Sequence, residues 1–167
     1  MRGKRGDMQL PFGMIFSIFL IVLFVIIAFI AINHFLELRK CTQIASYMGD
    51  LKDSVDIVWK SPSSSQEFSG YMPKDIDYLC FVDFSKASTN KKDIFDELKR
   101  YDIYEASVYL YPPEQACNLP YYYIPDINIS KITNRLNPYC IENIDSKISF
   151  RIEKGYYERL VCIGSDC

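Results

Sequence analysis

The chain has 167 residues, room for one ordinary domain, with 49% hydrophobic and 24% charged residues and a formal net charge of −2. That balance argues against a nucleic-acid-binding domain, because nothing offsets the phosphate charge. Aromatic residues at 15% argue against wholesale disorder.

The averages conceal a division along the chain. Arg2, Lys4 and Arg5 come first, and between Asp7 and Glu37 no charged side chain occurs. Met14 to Ile32 is apolar except for Ser17. As a helix rising about 1.5 Å per residue, this run covers roughly 28 Å, the hydrocarbon thickness of a bilayer. Its many β-branched residues favour a strand in water, but a lone segment in lipid must satisfy its own backbone, so the run is predicted to be a transmembrane helix. A cleaved secretory signal fits less well, since the run is long and Ala28 and Ala31 lack small-x-small spacing. Pro11 suits a first helical turn, which places the helix start near Pro11 or Phe12. The basic flank favours a cytoplasmic N-terminus and a C-terminal domain outside, with a single pass.

Lys4-Arg5-Gly6-Asp7-Met8, directly before the uncharged run, resembles the class III signal of archaeal type IV pilin-like proteins. The resemblance covers the first 35 residues or so. It implies cleavage between Gly6 and Asp7 by a membrane aspartic peptidase, with the apolar helix kept as an anchor and, in filament formers, as a packed core. The fifth position after such a cut is Pro11, where many bacterial pilins carry Glu. An uncleaved anchor with ordinary positive-inside residues is the alternative.

Helical spacing continues past the apolar run. Cys41, Ile44, Met48, Leu51, Val55 and Val58 recur at intervals of three and four, opposite Lys40, Gln43, Asp50, Lys52, Asp53 and Asp56. This seam is expected to pack on the chain's own domain, on partner helices of another subunit, or on both. Lys60-Ser61-Pro62 and the serines after it end the helix. The chain is thus divided into a basic leader (1–11), a transmembrane helix (12–36), an amphipathic extension (37–61), a linker (62–75) and an extracytoplasmic domain (76–167).

In that domain, alternation from Ile76 to Phe84 predicts a strand with one strongly apolar face. Lys91 to Tyr101 reads as a helix with Asn90 as its N-cap. Ala106 to Tyr111 and Tyr139 to Glu142 read as strands, with a loop from Glu114 to Asn137 between them. Ile148 to Ile152 and Tyr156 to Ile163 read as a hairpin turning at Glu153-Lys154-Gly155. The fold class is α+β: a long N-terminal helix followed by a small antiparallel sheet of about four strands, an architecture that pilin-like proteins share.

Six cysteines, Cys41, Cys80, Cys117, Cys140, Cys162 and Cys167, would face an oxidising space on this topology, and 15 pairings are open to them. Cys140 and Cys162, both on predicted strands near the C-terminal hairpin, are the favoured pair. Cys80 is a candidate buried thiol, and Cys41 is expected to stay unpaired near the membrane. There is no Cys-x-x-Cys, and His34 is the sole histidine, so no metal, cofactor or His-dependent catalytic site is expected. Asp75 and Asp77 are an acidic pair of the kind usually found solvated. Tyr121, Tyr122 and Tyr123 are a candidate contact surface, against the alternative of packing within the sheet. Asn128-Ile129-Ser130 is an N-glycosylation acceptor if the domain is outside. The expected protein is a membrane-anchored, pilin-like structural or assembly component without catalysis. Its partners would be the lipid bilayer and other helices, with no nucleic acid or small-molecule substrate. A tethered binding module that never polymerises is the alternative.

Overall fold

Helix α1, Leu10–Lys60, runs without a break through both the uncharged stretch and the amphipathic stretch after it. The computed structural model describes residues 10–102, 105–164 and 167, with side chains from Gly13 onward. The proposed cleavage point at Gly6 and Asp7 lies outside the described residues. The chain divides after Arg39 into two units.

In the first unit, every side chain from Gly13 to Arg39 is exposed except the half-buried Leu20. Ser17, the lone hydroxyl of the apolar run, donates to the Gly13 carbonyl at 2.9 Å and so needs no outside partner.

The second unit begins at Lys40 and contains the rest of α1. The seam is fully used there: Ile44, Met48, Leu51, Val55 and Val58 are buried, and Tyr47 joins them. They pack on the chain's own sheets, as one of the two expectations had it. At the helix end, Lys154 Nζ donates to the Trp59 and Ser61 carbonyls, satisfying acceptors that a helix C-terminus leaves open.

Among the described residues seven strands follow, in two sheets. The first has the order β1-β6-β7, formed by Ser64–Tyr71, Lys147–Lys154 and Cys162–Ile163. The second has the order β4-β3-β2-β5, formed by Tyr121–Tyr122, Val108–Tyr111, Tyr78–Phe81 and Tyr139–Glu142. All these pairings are antiparallel. Helix α2, Lys92–Leu98, continues into a 3-10 turn, and the four-residue helix α3, Ile129–Ile132, lies in the stretch expected to be loop.

The α+β reading holds, but the expected single sheet of about four strands is two sheets, the expected hairpin arm Tyr156–Ile163 is a strand only at Cys162–Ile163 because the chain turns after Lys154, and three further local corrections apply. The expected linker contains β1, whose sequence is mostly polar because only Phe68 is buried along it. The strand expected to have one apolar face is buried on both: Leu79 and Phe81 enter the core shared with α1, while Cys80 enters a second core with Ile94, Phe95 and Leu98. Helix α2 is preceded by Lys91 in a left-handed conformation, φ 43°, rather than by a capping Asn90.

Candidate functional site

Helix α1 offers surface along its first part and attachment along its second. Its apolar run is long and apolar enough to cross a membrane, and none of its most apolar window is buried. The attachment is built in the second unit. Cys41, at the start of the seam, is bonded to Cys117, with 5.6 Å between Cα atoms. Beside it Lys40 Nζ donates to Gln115 Oε1 at 2.7 Å and pairs with Asp75 at 2.9 Å. The 3-10 turn Pro113–Gln115 and the buried Ala116 bring this loop to the helix. One turn of α1 is therefore held by a covalent bond, an ion pair and a hydrogen bond.

These contacts correct two expectations. Cys41 is paired, because the loop after β3 descends to it. The favoured Cys140–Cys162 pair is not formed, because those residues lie on strands of different sheets. Instead Cys140 stands opposite Cys80 on the adjacent strand and bonds to it, and Cys162 bonds to Cys167. Cys80 is therefore no free thiol either. Among the described residues all cysteines are in disulfides, which suits a domain held in an oxidising space.

The three consecutive tyrosines are split by the strand they begin. Tyr121 meets the Tyr101 ring at a tilt with centroids 6.2 Å apart, Tyr122 packs against the main core, and Tyr123 is 66% exposed. Asn128 caps α3, its Oδ1 accepting from the Lys131 N–H at 3.0 Å. Asp75 is occupied by Lys40, and the Asp77 backbone is tied to Tyr111 and Asn143. His34 lies exposed on α1. Among the described residues, no group of three or more His, Cys, Asp or Glu side chains gathers to hold a metal ion.

Comparison with protein-family models, curated proteins and solved structures finds no match for this chain.

Two features of the second unit escape a reading by pattern. Asn137, 1% exposed, holds the segment after β2 in place. Its Oδ1 accepts from the Asp83 N–H at 3.1 Å, its Nδ2 donates to the Asp83 carbonyl at 2.8 Å, and its carbonyl accepts from the Thr89 N–H at 2.8 Å. Asn137 closes the stretch read as loop, and no pattern in the sequence marks it as the residue that pins Asp83 and Thr89. Tyr47 is the other. Its ring is covered by Phe68, its hydroxyl has no hydrogen-bond partner among the described residues, and burial pushes its ionisation above the ordinary tyrosine range.

Proposed function

We propose that the chain is a single-pass surface protein with its N-terminus in the cytoplasm and its disulfide-bonded domain outside, serving as a pilin-like structural or assembly component. The observation that carries this reading is the exposed apolar stretch of α1, continuous in one helix with a seam buried in the domain. Apolar surface on this scale is not left to water, and a bilayer or neighbouring helices of the same kind would cover it. The disulfides support the outward orientation, since such bonds persist on the oxidising side.

The processing step follows from the leader. Cutting after Gly6 removes Arg2, Lys4 and Arg5, so the helix would meet the membrane surface with Asp7 and a free amine. Loss of three positive charges eases withdrawal from an anionic leaflet, as a subunit requires before assembly. The test is an intact-mass spectrum of the protein recovered from carbonate-washed membranes of its native host. A chain starting at Asp7 is expected. A chain starting at Met1 or Arg2 would leave the non-polymerising tethered module, and recovery in the soluble fraction would end the membrane reading itself.

A further inference from the structure

Among the asparagines of the chain only Asn128 heads an Asn-x-Ser or Asn-x-Thr triplet, Asn128-Ile129-Ser130. Such a triplet also arises by chance. What distinguishes this one is the use the fold makes of its two polar side chains. The Asn128 amide is divided between two tasks. Its Oδ1 accepts from the Lys131 N–H at 3.0 Å and caps α3. Its Nδ2 donates to nothing among the described residues. There the buried polar side-chain atoms without a partner are the Tyr47 hydroxyl and Asn143 Oδ1, so Asn128 Nδ2 is open to solvent.

Two other asparagines of the domain are used in the opposite way. The Nδ2 of Asn137 donates to the Asp83 carbonyl at 2.8 Å, and that of Asn143 to the Pro73 and Ile76 carbonyls at 2.9 and 2.6 Å. A substituent on either nitrogen would break those bonds. On Asn128 Nδ2 it breaks none, because the residue is held by its other groups. Its N–H donates to the Val161 carbonyl at 2.8 Å, and the Val161 N–H donates to the Asp126 carbonyl at 2.7 Å. Ser130, two residues on, is exposed, and its Oγ accepts from Lys86 Nζ at 3.0 Å.

We propose that Asn128 carries an N-linked glycan, transferred from a lipid-linked oligosaccharide. Nδ2 forms a bond to the anomeric carbon of the first sugar as the bond from that carbon to the phosphate oxygen of the lipid carrier breaks. The electron pair leaves with the lipid phosphate, and Nδ2 gives up one of its two protons to a base. The product is still an amide. It keeps its carbonyl oxygen, so the cap on α3 survives, and the finished domain holds the sugar at no cost in hydrogen bonds. An acceptor triplet has this meaning only outside the cytoplasm, so the inference rests on the outward placement of the domain proposed above. It adds to that reading a covalent carbohydrate at a stated atom.

The test is mass spectrometry of the full-length protein from membranes of its native host, reduced and cut with trypsin. The peptide from Tyr101 to Lys131 is expected to carry the added mass of one or more sugars, placed on Asn128 by fragmentation. Three variants separate acceptor from cap. Asn128→Asp keeps a capping oxygen and lacks the amide nitrogen, and Ser130→Ala leaves the whole cap in place; both should lose the added mass. Ser130→Thr keeps a hydroxyl at that position and should retain it. Labelling of the domain's lysines on intact cells with a membrane-impermeant amine reagent reports the orientation separately. A bare Asn128 from cells whose domain is labelled overturns the glycan and leaves the orientation standing. A bare Asn128 with no labelling until lysis overturns both. Added mass that survives Ser130→Ala, or is lost in Ser130→Thr, overturns the proposal as well.

Discussion

The Tyr47 ring meets Phe68 edge-on at 5.3 Å and lies over Gly70, where a Cβ would stand 2.6 Å from it. A glycine at that point of β1 is thus a requirement of helix packing rather than of strand conformation. The same burial leaves the hydroxyl without a partner and raises its pKa, and Tyr109 is pushed up to about 12 by burial and then by the charge of Asp102. Unfolded tyrosines ionise near pH 10, about where this native advantage starts to matter. For a group whose folded pKa is raised, the stabilisation is complete below the unfolded value and is lost as pH climbs through the folded one. Stability should therefore decline above about pH 10 as the unfolded state releases protons the native state retains. Tyr47→Phe should flatten that decline and at pH 7 should leave stability unchanged or raise it by up to about 1 kcal/mol, because an unsatisfied buried hydroxyl is removed. Thermal unfolding between pH 7 and 11 measures both effects; an unchanged alkaline slope would show that Tyr47 is solvated.

At the scale of elements, the attachment of α1 rests on its seam and on Cys41–Cys117. Replacing both cysteines with serine should cost about 2–5 kcal/mol, read as a lower urea midpoint, since the bond closes a long loop in the unfolded chain. A midpoint unchanged from that of the oxidised parent would mean that the seam alone holds the helix. The seam was legible because a helix repeats its buried face every three or four residues, and Ile44 to Val58 keep that period. The end of α1 was legible in Lys60-Ser61-Pro62 for an equally local reason. By contrast β1 was hidden: Ser-Ser-Gln-Glu-Phe-Ser-Gly-Tyr has one buried side chain, and only pairing with β6 makes it a strand. The disulfides were hidden too, because Cys140 reaches Cys80 through strand order and Cys41 reaches Cys117 through a descending loop. The parting of β5 and β6 into different sheets is further from sequence still, because no residue type marks that choice.

At the scale of the whole chain, charge and crosslinks are distributed unevenly. All but Asp7 of the acidic residues lie beyond the uncharged run, together with every cysteine. The first unit is thus apolar and nearly uncharged along its helix, and the second carries the charge and the disulfides. The bond between Cys41 and Cys117 also has a mechanical consequence. A pull between α1 and the far end of the chain would enter the sheets through sulfur, by-passing β1, β2 and β3. With a sequence separation of 76 between the two cysteines and about 3.4 Å per extended residue, roughly 260 Å of contour is withheld from stretching. Force spectroscopy on single molecules should find the oxidised chain shorter at full extension than the reduced chain by at least that length, while equal lengths would show that load never passes through the bond. The domain can therefore give way under tension without paying out most of its own length.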